Sequence, residues 1–279
     1  MAKRFPSTKA ANDGQLSGVR PDPWDQLRRY TPARIALGRA GVSLPTRAVL
    51  EFGMAHACAR DAVHHRLDAA ALREALGARG HATLEVASAA GDRQTYLRRP
   101  DLGRRLDADS RPVLDRWRAA HRDEPDLVLV LADGLSALAL ERHALPLIDE
   151  LVPGLGELRL GPMVIARQAR VALGDEIGAL LGARQVVVLI GERPGLSSPD
   201  SLGLYLTHGP RPGRTDAERN CISNVRPEGL SCVAAARRLS FLMRGARELG
   251  ASGIALKDDT SPPPGGAPGS GDGRPIGPR

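Results

Sequence analysis

A single carboxylate, Glu192, lies two residues after one of the longest apolar runs in the sequence. The five residues VVVLI at 186–190 are followed by the loop GERPG, in which a Pro-Gly pair typical of tight turns comes just after Glu192. Such a turn would hold the carboxylate in place to accept a hydrogen bond from a ligand. The simpler alternative is that Glu192 caps the loop or pairs with Arg193.

A second polar cluster, RNCISN at residues 219–224, centres on Cys221. A cysteine nucleophile needs a base, and neither a histidine nor an acid stands beside Cys221 in a known nucleophile signature. Covalent catalysis is therefore weakly supported. The favoured interpretation is a small, polarisable residue that lines the pocket of a bulky ligand. Cys232, at the start of a predicted helix, is expected to pack against other side chains.

The common nucleotide motifs are missing. Neither GxGxxG nor GxxxxGK[ST] occurs, so a dinucleotide or triphosphate site of the usual design is unsupported. Asp133 follows another apolar run, but it is as consistent with a helix N-cap as with a ligand contact. With no complete catalytic constellation in the chain, we expect a partner to supply the remaining chemistry.

The apolar pattern predicts the elements that position these residues. Runs typical of buried strands occur at residues 127–131, 163–165 and 186–190, and a short last strand is expected at 253–256. Helical stretches begin at residues 136, 171 and 233. Strands that alternate with helices predict an α/β fold with a mostly parallel sheet flanked by helices. Ligands bind such sheets beyond the carboxyl ends of the strands, where Glu192 would lie.

The chain before residue 125 has a helical pattern. Thr31-Pro32 predicts one helix start, and Leu44-Pro45-Thr46-Arg47 predicts the start of a long helix. We therefore divide the chain into four segments. They are a flexible lead at 1–22, a helical region at 23–124, an α/β ligand-binding domain at 125–257 and a disordered Pro/Gly-rich tail at 258–279.

Composition narrows the classes of function. The formal net charge is +7, but the arginines are spread among acids and only 3% of the residues are aromatic, which disfavours nucleic-acid binding. Three cysteines without CxxC spacing argue against a disulfide framework or a structural zinc site and fit a reducing cytoplasm. A secretory signal or a membrane span is not expected.

Six stretches together resemble the small (light, β) subunit of ethanolamine ammonia-lyase, an adenosylcobalamin-dependent enzyme. TPARIALGRAG, IGERPGL and RNCISN are the most specific pieces. In chain order the stretches are DPWDQLRRYTPARIALGRAGVSLPTRAVLEFGMAHACARDAVH at 22–64, DLVLVLADGLSA at 126–137, RVALGDEIG at 170–178, VVLIGERPGL at 187–196, ERNCISNVRPEGL at 218–230 and ASGIALK at 251–257.

The resemblance implies a fold and a function. A helical N-terminal part would precede a Rossmann-like domain that covers adenosylcobalamin at the interface with the large (heavy, α) subunit, in a hetero-oligomer. The large subunit would carry the substrate site for radical conversion of ethanolamine to acetaldehyde and ammonia. By motif, three contacts to cobalamin fall on Val171, Glu192 and Cys221. Val171 rests on the resemblance alone.

The resemblance also bears on the cobalt ligand and on location. His208 matches only part of the cobalamin-ligand motif DxHxxG, because Leu206 and Arg211 stand where Asp and Gly are required. The mismatch agrees with a cofactor that keeps its own benzimidazole on the cobalt, as the resemblance implies. The expected location is the cytoplasm, or a bacterial microcompartment to which some members of the family are directed.

Two alternatives of other classes stay open at this point. One is a stand-alone, nucleotide-dependent α/β enzyme that uses Glu192 and Cys221. The other is a basic nucleic-acid-binding adaptor, whose affinity would fall steeply with salt.

Overall fold

A computed structural model describes residues 18–258, which begin with an extended arm. Two short strands, β1 (Val19–Arg20) and β2 (Arg39–Ala40), pair antiparallel and enclose a 3-10 helix at Asp25–Tyr30. The long helix α1 (Thr46–His64) follows. The helix predicted from Leu44-Pro45-Thr46-Arg47 is confirmed. The helix start predicted at Thr31-Pro32 is wrong, because Thr31 instead ends the 3-10 helix in an extended conformation.

Three further helices follow before residue 125. They are α2 (Ala69–Gly77), α3 (Arg93–Arg98) and α4 (Arg111–Ala120). The side chains of Asp68 and Asp92 cap α2 and α3, each by accepting a hydrogen bond from a backbone N–H of the first turn. The second residue of α4 is Pro112. Proline is tolerated there because the backbone N–H that it lacks would have no acceptor within the first turn of the helix.

Six strands form the central sheet, in the order β3-β5-β4-β6-β7-β8. The first four are parallel, and β7 and β8 continue antiparallel from β6. The strand bounds are β3 (Thr83–Ala87), β4 (Leu127–Ala132), β5 (Met163–Arg167), β6 (Gln185–Gly191), β7 (Leu202–His208) and β8 (Arg219–Val225). The α/β fold with a mostly parallel sheet is confirmed.

The helices that follow cover the two faces of the sheet unequally. α5 (Ala137–Leu151) and α7 (Cys232–Leu249) pack on one face of the sheet. The core beneath them includes leucines of β4 and β7, and Ile222 of β8. α4 and α6 (Leu173–Leu181) pack on the other face, over valines of β4, β5 and β6. Each apolar side chain buried in these cores contributes about 1.5–3 kcal/mol.

Three features of the sheet and its end differ from the predicted pattern. β3 lies in the stretch that has a helical pattern, and β7 and β8 lie in the polar stretch after Glu192, where no strand is predicted. The strand predicted at residues 253–256 is wrong, because Gly253–Ala255 forms a 3-10 turn. The lead at 1–22 and the tail at 258–279 fall almost wholly outside the described residues. No helix within residues 18–258 is long and apolar enough to cross a membrane.

Candidate functional site

Glu192 connects the ends of three strands. It directly follows β6, and its backbone N–H donates to the carbonyl of Ser201 (2.9 Å), just before β7. The carboxylate atom Oε2 accepts hydrogen bonds from the Ser201 hydroxyl and from the backbone N–H of Asn224 (3.2 Å), near the end of β8. The Glu192 side chain is therefore held in place, at the carboxyl edge predicted from the sequence.

The second carboxylate oxygen of Glu192, Oε1, is available to a ligand. No hydrogen bond reaches Oε1 from the described residues, and the alternative ion pair with Arg193 is not formed among them. A Cβ placed on Gly203 would lie 3.0 Å from Oε1 and 3.1 Å from Cε2 of Tyr205. Glycine at 203 thus keeps open the space between the carboxylate and the Tyr205 ring.

Cys221 lies on β8, directly across from Tyr205 on β7. The Cys221 side chain is exposed, Tyr205 is half-buried, and Sγ of Cys221 lies 3.2 Å from Oγ of Ser223. Burial raises the pKa of the Tyr205 hydroxyl, and the neighbouring Cys221 and Glu192 raise it further, so Tyr205 stays a neutral phenol. Tyr205 is a site residue that the sequence-based reasoning missed. Leucine at every second position of LGLYL is the signal for a strand that points Tyr205 to the sheet face opposite the leucines.

We use the name open face for the side of β7 and β8 that carries Gly203, Tyr205, Cys221 and Ser223. Side chains alternate between the two sides of a strand, and Leu204 and its neighbours on the opposite side are buried under α7. On the open face only Tyr205 joins the apolar core, as a partly buried member. The open face is therefore a shallow, partly apolar surface bordered by Glu192.

Val171 borders the same apolar core from the loop before α6. It is half-buried and packs against the cluster that also includes Tyr205. A groove of about 780 Å³ runs beside it, formed by three segments at residues 100–105, 170–176 and 212–219. Val171, Glu192 and Cys221 come from three different parts of the chain, and each borders the open face or the apolar core next to it.

A buried ion pair closes the floor of this groove. Arg219, two residues before Cys221 on β8, pairs with Asp175 in the first turn of α6, and both side chains are only 2% exposed. Burial raises the pKa of Asp175, and the Arg219 charge opposes that rise. Arg219 also bonds Asp216 (3.0 Å) and the carbonyl of Arg214 (3.0 Å). This network fixes the start of β8 against α6.

Asp133 has a role that neither sequence-based alternative foresaw. Its carboxylate is buried and accepts the backbone N–H of Gln168 (2.9 Å) and of Ala169 (3.1 Å), in the loop after β5. Burial raises the pKa of Asp133, while these N–H groups and Arg93 oppose the rise. The N-cap interpretation is wrong, because Asp133 holds the loop that leads into Val171.

Comparison with known proteins identifies the family. The family model described as "Ethanolamine ammonia-lyase light chain (EutC)" matches residues 21–257. The chain belongs to the ethanolamine ammonia-lyase light-chain family. It is 60% identical to the ethanolamine ammonia-lyase small subunit of Ralstonia nicotianae, over 90% of this chain and 94% of that protein. It is 61% identical to the small subunit of Azotobacter vinelandii (85% and 89%) and 54% identical to that of Pseudomonas syringae pv. tomato (91% and 89%).

The resemblance drawn from TPARIALGRAG, IGERPGL and RNCISN is thereby confirmed. Membership in the ethanolamine ammonia-lyase light-chain family places the chain in a lyase complex, as a small subunit that implies a large one. The match spans residues 21–257, so the segment that contains β2 and α1 belongs to the same family module as the α/β sheet.

Proposed function

We propose that this chain holds adenosylcobalamin against the large subunit of ethanolamine ammonia-lyase, for the conversion of ethanolamine to acetaldehyde and ammonia. The open face carries the proposal. It is the side of two strands opposite the buried Leu204, Leu206 and Ile222, it carries Cys221 and it borders Glu192, so it includes or adjoins the two candidates found from the residues themselves. Membership in the light-chain family supports the assignment to an ethanolamine ammonia-lyase complex with a large-subunit partner.

The residues at this site suit cobalamin. The cofactor is broad, with an apolar ring face and a rim of amides, so it needs a flat apolar contact and a hydrogen-bond acceptor at its edge. Tyr205, Cys221 and Val171 offer the apolar contact. Oε1 of Glu192 offers the acceptor, because Oε2 already bonds Ser201 and Asn224 and keeps the carboxylate oriented. The space above Gly203 gives an amide room to reach Oε1.

The chain's own residues bind and orient rather than transfer protons to a substrate. When bound, adenosylcobalamin would supply the radical chemistry. Glu192 accepts a hydrogen bond from the cofactor, and the open face keeps water from the side of the ring that it covers. The substrate site belongs to the large subunit in this proposal, which accounts for the lack of a base near Cys221 among the described residues.

The stand-alone, nucleotide-dependent alternative receives no specific support. Cys221 contacts Ser223 and Tyr205 rather than a histidine, and Glu192 uses one oxygen to hold backbone and hydroxyl groups. Neither residue is set up as a nucleophile–base pair in the part of the chain that the structure describes.

Co-expression with the large subunit tests the proposal. The purified pair should retain adenosylcobalamin through gel filtration, seen by its visible absorption, and should release ammonia from ethanolamine. The separate chains should release none. A pair that leaves the corrinoid unbound, or a solitary small chain that deaminates ethanolamine, would overturn it.

A further inference from the structure

We propose that the N-terminal arm, which we define as residues 18–54, docks on an acidic surface of the large subunit. The existence of that partner rests on the proposed function, whereas the need for a partner rests on the arm itself.

The arm carries most of the large apolar side chains that are exposed in the described part of the chain. Eleven of the fifteen large apolar side chains that are exposed within residues 18–258 lie in it. Soluble monomers rarely leave a large apolar patch uncovered, and such patches mark interaction sites. The eleven are Val19, Trp24, Leu27, Tyr30, Ile35, Val42, Leu44, Val49, Leu50, Phe52 and Met54, with Val42 99% and Tyr30 73% exposed.

Helix α1 has no core of its own to stabilise it. Only Ala62, near its last turn, is buried, and the first half carries exposed Leu50, Phe52 and Met54. Most of the stability of a helix in a globular protein comes from packing of its apolar face rather than from intrinsic propensity. The start of α1 therefore needs a surface to pack against.

The arm is shaped in advance rather than merely extended. β1 and β2 pair antiparallel, so the chain doubles back between residues 20 and 39. Gly38 has φ +76°, and a Cβ there would lie 2.8 Å from the carbonyl oxygen of Arg20, so the return crosses the first strand at a point where only glycine fits. A preshaped segment loses less entropy on docking than a random one.

The arm adjoins the candidate cofactor site. Nη2 of Arg34 donates to the carbonyl of Leu196 (3.4 Å), in the loop that begins with Glu192. Leu196, four residues after Glu192, is itself an exposed apolar residue. Under the proposed function the opposite wall of that site is the large subunit, so a segment that contacts the Glu192 loop is placed to meet the same partner.

Charge favours a different, acidic partner over a second copy of this chain. Between residues 18 and 54 the arm has six arginines and three acids, a net charge of +3. Two arms brought together would place like charges in contact, which is unfavourable in an interface. An acidic surface with apolar pockets complements both the arginines and the exposed aromatic and aliphatic side chains.

The test compares two matched pairs of substitutions in the co-expressed complex. Leu50→Glu with Met54→Glu alters the arm, and Leu249→Glu with Ile254→Glu alters exposed apolar residues elsewhere. The dissociation constant is measured with the tag on the large subunit. We expect the dissociation constant of the arm variant to rise roughly 30-fold or more, as for substitutions of central interface residues. The control pair should change it by less than about threefold.

A second measurement covers the case in which the arm variant fails to fold. A photo-crosslinking amino acid at Met54 of the otherwise unaltered complex should attach to the large subunit. Attachment to another small chain, or to residues 1–17 of the same chain, would overturn the inference. So would an arm variant that binds the large subunit as tightly as the control pair. If the unaltered pair does not assemble at all, the proposed function fails first, which separates the two failures.

Discussion

The two sides of β7 and β8 serve different purposes on the same backbone. On the covered side Leu204, Leu206 and Ile222 are almost fully buried against α7. On the open face, Cys221 and Ser223 are exposed and Tyr205 is half-buried. Stability and binding are thus separated by the alternation of a strand, so that residues one position apart are expected to respond differently to substitution.

The open face exists because the chain does not continue with a helix after β6. It turns back as β7, so α6 is the last helix on that side of the sheet. α6 also sits very close to β6. A Cβ on Gly178 would lie 3.3 Å from Cβ of Val186, and one on Gly174 would overlap Val188.

The largest expected effect is at the buried ion pair that bounds the open face. Asp175→Ala leaves the Arg219 charge buried without its partner, and we expect a loss of about 3–5 kcal/mol in the free energy of unfolding. The control is Asp216→Ala, which removes the same arginine's other carboxylate. Asp216 is 97% exposed, so its loss should cost about 1 kcal/mol or less. Urea unfolding of the purified chain measures both, and equal losses would show that the pair is not what fixes β8.

Substitutions on the two sides of β7 and β8 test most directly whether the covered side and the open face differ in their contribution to stability. Leu204→Ala empties a fully buried position on the covered side and should cost about 2–5 kcal/mol. Cys221→Ala changes an exposed side chain on the open face and should stay within about 0.5 kcal/mol. A Cys221→Ala chain as unstable as Leu204→Ala would mean that the open face is part of the fold's core.

Glu192→Ala should separate binding from stability. It removes the acceptor Oε1 together with two hydrogen bonds through Oε2, so retention of adenosylcobalamin by the complex should fall about tenfold or more. The fold should lose no more than about 1–2 kcal/mol, because Glu192 is a loop residue outside the core. Glu192→Gln is the matched control, since its side-chain oxygen can still accept one hydrogen bond. Unchanged cofactor affinity in Glu192→Ala would leave Glu192 with a structural role only.

The sequence predicted the strands that are buried on both faces and missed those that are not. β4, β5 and β6 are continuous apolar runs and were expected close to their observed bounds. β3 is an edge strand in which only Val86 is buried, and β8 shows polar residues to the open face. Periodicity cannot easily distinguish such half-exposed strands from loops or short helices.

Site residues whose position follows from the end of their own strand could be predicted from the sequence. Site residues whose position depends on the pairing of two strands could not. Glu192 follows its strand directly, so the rule for carboxyl edges was enough. Tyr205 reaches the site only through the register that sets it across from Cys221, and that register joins segments from separate parts of the chain. Asp133 was misassigned for the same reason, because its partners lie in the loop after a different strand.

The smallest expected effect concerns the loop that borders the groove beside Val171. Hydrogen bonds from the backbone N–H of Thr215, and then from Arg214, lower the pKa of Glu218 to about 2 from its ordinary value of 4.5. A carboxylate with a lowered pKa stabilises the folded state above its ordinary pKa, and that stabilisation is lost as the pH falls toward 2. The stability difference between the unaltered chain and Glu218→Gln should therefore be constant above about pH 5 and shrink between pH 4.5 and 2. Unfolding free energies measured across this range check the sign, and a difference that grows on acidification would contradict it.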